Sequence, residues 1–134
     1  MDERRQTPRK HIFAVNSSPD FLLIIRELLE DEGYAVTTSD FEANVFPRIV
    51  MRQPDVLIID LAVGEAAGWD LLERLHAEPA TTGTPMLVTS TSPALLEQAR
   101  EQASRYGSHG SFLTKPMDLG ELLVTVRQMI GDAF

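Results

Sequence analysis

The chain has 134 residues, 43% of them hydrophobic and 24% charged, which suits one compact globular domain and leaves little room for a second. A net charge of −8 and a pI near 4.8 argue against a nucleic-acid surface, which needs a basic stripe to meet phosphates. Cysteine is absent, excluding disulfides and thiolate metal sites, and no apolar run approaches the roughly 20 residues of a membrane helix.

Residues 1–10 read as a flexible N-terminal tail ahead of a domain over 11–134, with the basic stretch "RRQTPRK" at 4–10 solvated. This charged start has no apolar segment of the secretory type, so a cytoplasmic protein is expected. "HIFAV" (11–15) is a first strand, and 19–32 a helix with Pro19 in its first turn and Gly33 past its end. "YAVTT" (34–38) is a second strand, followed by a helix over 40–53 that contains Pro47. "DVLII" (55–59) is apolar almost throughout, as a strand buried on both faces should be. A Gly/Ala-rich loop (61–68) leads to a helix over 69–78, and "PATTGTP" (79–85) is a turn. "MLVTS" (86–90), a helix over 93–107, "SFLT" (111–114) and a closing helix over 118–131 complete the chain. Five βα units imply an α/β fold, a doubly wound five-stranded parallel sheet with helices on both faces.

In such sheets ligands bind outside the carboxyl ends of the strands. Those ends deliver Asn16 and Ser17, Asp60, Ser90 and Lys115. An Asp beside a Lys and a hydroxyl can accept a phosphoryl group: the carboxylate attacks, while the cation and hydroxyl bind the phosphoryl oxygens.

Three stretches carry a resemblance. "VLIID" with Gly68 eight residues after Asp60, "FLTKPMDLGELL" and "SSPDFLLIIRELLEDEGYAV" resemble the bacterial two-component response regulator receiver domain, over residues 11–131. The resemblance implies the CheY-like, flavodoxin-like (βα)5 fold with strand order 2-1-3-4-5. It makes Asp60 the phosphoacceptor, Ser90 the switch hydroxyl, Lys115 the phosphate-binding lysine and Phe112 the rotating aromatic. It also implies a protein that is not an enzyme beyond accepting a phosphoryl group and losing it by autodephosphorylation.

The departures are as informative as the matches. Where the family has two acids that hold Mg²⁺, this chain has Asn16 and Ser17. Gly64 stands where the family usually has Pro, Ala67 where it often has Asp, and Thr91 where a small residue is common. Only Asp60 and the Ala62 carbonyl remain as ligands of the family type. Two unit charges about 4 Å apart attract by roughly 4 kcal/mol at an effective dielectric near 20, so the loss of two carboxylates should leave Mg²⁺ binding weak at best. No cofactor is expected.

Ordinary structural roles stand beside these. Ser17 with Asp20 fits a capping-box-like helix start, Ser18 fits a cap, and Asp20 a helix-start charge. Glu65 is a loop acid within reach of the pocket. His11, His76 and His109 lie in unrelated segments and read as surface residues. On the first helix Phe21, Leu22, Ile24, Ile25, Leu28 and Leu29 form one apolar face, and Leu23 falls among charges on the other. In the helix over 93–107, Leu95, Leu96, Ala99, Ala103 and Tyr106 read as core with an exposed rim.

The expected function is a receiver domain with a degenerate pocket, acting as a protein-interaction module. The alternatives are a working phosphoacceptor phosphorylated on Asp60 by a histidine kinase, and a small-molecule binder in the same crevice. Expected partners are a histidine kinase or other signalling protein, met through the first helix and the face between the helix over 93–107 and the fifth strand, with neither nucleic acid nor membrane.

Overall fold

The computed structural model describes residues 9–108 and 110–134. The tail expected over 1–10 therefore lies outside the described residues as far as residue 8, as does His109. Five strands, β1 (His11–Val15), β2 (Ala35–Ser39), β3 (Val56–Asp60), β4 (Met86–Ser90) and β5 (Gly110–Thr114), pair in parallel in the order β2-β1-β3-β4-β5. The helices are α1 (Pro19–Asp31), α2 (Val45–Arg52), α3 (Ala66–Ala77), α4 (Pro79–Thr82), α5 (Pro93–Arg105) and α6 (Leu119–Ile130). Parallel neighbours need crossovers, and the helices supply them while covering the sheet.

Alternation along each strand sends side chains into two cores. Ile12, Ala14, Ile58 and Leu87 pack against Leu22, Ile25 and Leu29 of α1 and Leu122 and Val126 of α6. Phe13, Val15, Leu57, Ile59, Met86 and Val88 pack on the other face against α2, α3 and α5, through Ile49, Leu72, Leu75, Leu96 and Ala99. β3 and β4 are buried at every residue, which accounts for consecutive apolar residues over Val56–Ile59 and Met86–Val88.

Several local expectations are corrected. α2 begins only at Val45, so Pro47 occupies the first turn, where no intrahelical acceptor exists for its missing N–H. α3 begins at Ala66 rather than 69, with Gly68 inside it. A Cβ on Gly68 would stand 2.6 Å from the backbone oxygen of Asp60, so only glycine lets this helix close on the end of β3. The segment expected as a plain turn holds the short α4. Ile24 is 45% exposed beside Leu23 at 56%, so the apolar face of α1 is narrower than its pattern suggested.

The α1 cap is Ser18, whose Oγ accepts from the Phe21 N–H at 3.2 Å, while Ser17 is exposed. Lys10 is tied down: its N–H donates to the Ala133 carbonyl at 2.7 Å, its carbonyl accepts from the Ala35 N–H, and its ammonium caps the Ile130 carbonyl at the end of α6. No helix among the described residues is long and apolar enough to cross a membrane.

His76 is not a surface residue. It is 2% exposed, its Nδ1 lies 2.7 Å from Gln102 Oε1, and its ring stacks on Tyr106. α3 and α5 meet through this contact. Burial pushes the His76 pKa below its ordinary value of 6.5, against a smaller opposing effect of the Gln102 hydrogen bond. The unfolded chain therefore binds this proton more readily than the folded one. Stability should be full above pH 6.5 and fall as the pH drops through the interval between that value and the folded pKa. Urea denaturation of wild type and His76→Asn across this range checks it. The acid-side slope should shrink in the variant, with a remainder from half-buried His11, whose pKa burial also lowers.

Candidate functional site

The alternation that builds the cores also selects which strand-end side chains meet. Asn16, Asp60, Thr89 and Lys115 lie two residues beyond Ala14, Ile58, Leu87 and Leu113, all members of the α1/α6 core or packed against it. They continue that face into the crevice. Ser17, Leu61 and Ser90 follow the opposite parity, that of Val15, Ile59 and Val88.

At the centre is Asp60, with its side chain only 7% exposed. Lys115 places its ammonium 2.7 Å from Asp60 Oδ1. The same oxygen accepts from the Thr89 hydroxyl at 2.9 Å. Thr89 is fully buried and directly opposite Asp60 in the β3–β4 register. Lys115 also stands 5.6 Å from the ring centroid of Phe21, the first-turn aromatic of α1, and the Lys115–Pro116 peptide is cis. The pairing uses the ammonium twice, once against a carboxylate and once against a π face.

The other predicted residues are placed as follows. Asn16 is 4% exposed, and its Oδ1 accepts from the Ser18 N–H at 2.9 Å, so it forms an Asx turn that leads into the α1 cap. Ser90, 0% exposed, donates to the Leu61 carbonyl at 2.5 Å and accepts from the Ser92 N–H. One bond ties β4 to the loop after β3 and the other braces Ser92, the cap of α5, while the hydroxyl on Asp60 is that of Thr89. Phe112 is half-buried against the α2/α3/α5 core with the Arg100 guanidinium 4.5 Å over its ring. Thr91 is exposed. The Ala62 carbonyl accepts from the Glu65 N–H in a turn, and Gly64, at φ +80, takes a backbone that proline cannot.

Thr89 was missed because the spacing reading assigned one hydroxyl to the end of β4 and took the terminal one. Beside the Asp60 end lies a cleft of about 500 Å³ lined by Leu61, Val63, Glu65, Trp69, Ala94 and Leu95, mostly apolar. Glu65 faces this cleft and is exposed.

The donor set does not fit a magnesium ion. Asn16 has given its carbonyl oxygen to a backbone N–H, Ser17 offers a neutral hydroxyl, and the one carboxylate holds an ammonium. Among the described residues no group of three or more His, Cys, Asp or Glu side chains could hold a metal. Mg²⁺ demands hard, charged oxygens and dehydrates reluctantly.

Residues 12–127 match the family model described as the response regulator receiver domain, and the chain belongs to that family. It is 32% identical over 120 residues to the "Uncharacterized 14.6 kDa protein in sodA1 3'region" of Leptolyngbya boryana, covering 87% of each chain. It is 23% identical to the polar-differentiation response regulator DivK of Brucella ovis, covering 92% of this chain and 98% of that one. It spans about half the length, 49% and 48%, of two curated transcriptional regulators that it also matches. Among solved structures, the chemotaxis response regulator CheY4 of Vibrio cholerae superposes with a TM-score of 0.75 at 21% identity, covering 90% and 98% of the two chains.

Restoring the acids tests the placement of this crevice. Asn16→Asp with Ser17→Asp should raise Mg²⁺ affinity by at least about tenfold, chiefly through the carboxylate at position 16, on the face that carries Asp60. Titration calorimetry of the variant against wild type measures it, and an unchanged affinity would mean that position 16 does not face Asp60.

Proposed function

We propose that the chain is a signalling receiver whose degenerate pocket stays unphosphorylated and which works as a protein-interaction module. The observation that carries this reading is the Lys115–Asp60 pair at 2.7 Å, closed over a crevice whose first strand supplies only Asn16 and Ser17. Phosphoryl transfer needs positive charge on the transferring group. Here the charge available is one ammonium already spent on the carboxylate, and metal binding is weak at best.

In this reading the chain is not an enzyme. Its partner is a histidine kinase or another signalling protein, reached through α1, where Leu23 and Ile24 are exposed, and through the α5–β5 face, where Phe112 and Tyr106 lie. The acidic net charge of −8 speaks against nucleic acid as that partner.

One observation favours a second reading, in which Asp60 is a working phosphoacceptor. Both donors sit on Oδ1 alone, so half of the carboxylate is uncommitted. Intact mass after incubation with acetyl phosphate and Mg²⁺ separates the two, with Asp60→Asn as the control. The module reading expects no mass gain from a folded sample. A gain of one phosphoryl group that disappears in Asp60→Asn would overturn it in favour of the second reading.

A further inference from the structure

Asp60 is held by two donors on the same oxygen, and one of them belongs to no role considered so far. Thr89 is fully buried, and its only hydrogen-bonding side-chain atom lies 2.9 Å from Asp60 Oδ1. A buried hydroxyl left unpaired loses its hydration without replacement, so this contact has little freedom to come apart. Lys115 reaches the same oxygen from β5 at 2.7 Å. β4 and β5 thus both anchor Oδ1. Oδ2 receives no hydrogen bond among the described residues, and no buried side-chain N or O atom there lacks a partner, so Oδ2 is the oxygen that meets solvent in the crevice.

We propose that Thr89 is a positioning residue for Asp60: its hydroxyl, with the Lys115 ammonium, fixes the plane of the carboxylate so that one oxygen is held inward and the other, here Oδ2, faces outward. A free carboxylate exchanges its two oxygens by rotating about a broad, two-fold torsion. Thr89 and Lys115 together fix the plane of that torsion: a half-turn restores the same arrangement with the equivalent oxygens exchanged, whereas intermediate angles would break both contacts. Ser90, one residue on, cannot substitute, since it lies on the opposite face and is bound to Leu61.

The consequence for reactivity rests on the second reading above, Asp60 as phosphoacceptor. In that reaction Oδ2 forms a bond to the phosphorus of an acyl phosphate. The bond from phosphorus to the acyl oxygen breaks, and the carboxylate leaving group departs with the electron pair, without proton transfer. Thr89 takes no part in the bonds made or broken; it keeps the attacking oxygen where it is needed.

The test uses the full chain as wild type, Thr89→Val, Thr89→Ser, Asp60→Ala and the Thr89→Val/Asp60→Ala double variant. Two readouts are followed: the initial rate of phosphoryl incorporation from acetyl phosphate by intact mass, and the urea midpoint of unfolding. Thr89→Val keeps the shape and removes the hydroxyl, and should slow incorporation about tenfold, a loss typical of a misplaced reacting group. Thr89→Ser should restore most of the rate.

In urea, the Thr89→Val loss of midpoint should appear when Asp60 is present and disappear in the Asp60→Ala background, the signature of two groups that act on each other. If wild type takes up no phosphoryl group but this coupling is seen, the acceptor reading fails and the positioning role stands. If wild type is phosphorylated and Thr89→Val reacts at the same rate, or if the midpoint loss persists unchanged in Asp60→Ala, the proposal is overturned.

Discussion

A carboxylate at the end of a fully buried central strand is the constraint around which this molecule is arranged. β3 runs through the middle of the sheet with every residue buried, and it ends in a group that must stay charged or be neutralised. Removing the partner of a buried ion pair typically costs about 3–5 kcal/mol, because the charge left behind has neither water nor a counterion. Lys115 meets that need from β5, and Thr89 adds a hydrogen bond from the intervening β4. Three adjacent strands are thereby joined at one oxygen atom, on the edge of the crevice. Lys115 keeps a quarter of its side chain exposed, so the pair is partly open to solvent and its net worth is correspondingly smaller.

The neutral residues on β1 change what this arrangement means. In a pocket with more carboxylates the ammonium would have competitors and a metal would have ligands. Here Asn16 has turned its oxygen to the backbone of Ser18, which in turn caps α1. The strand end that would carry chemistry has been given to local structure, an Asx turn running into a helix cap. The resting pocket thus has its charges matched within itself.

Much of the fold was legible because β1, β3 and β4 each carry a short apolar run bounded by polar or turn residues. The two cores follow from period-two alternation, which also makes Asp60 and Lys115 visible as polar residues where apolar runs stop. Thr89 was not legible, because "MLVTS" offers adjacent hydroxyls on opposite faces. Which one meets Asp60 depends on the register with β3, a property of pairing rather than of either strand alone. His76 could have been found. With Leu72 and Leu75 it falls at helical spacing on the apolar side of α3, and that pattern outweighs its polar identity. The start of α2 was misplaced because Ser39, Asp40 and Asn44 are all cap-type residues, and only the fold selects the last of them. The narrowed face of α1 depends on how α6 packs beside it, which no local pattern reports.

Lys10 and Ala133 are one hydrogen bond apart, at the amino end of the strands and therefore at the pole of the sheet opposite Asp60. A tether attached near both positions would leave the molecule from a single spot. Lys10 is held there by bonds to Ala133, Ile130 and Ala35, so this spot is tied to both α6 and β2. A tag or tether placed there would stand a full strand's length from the charged oxygen at the other pole.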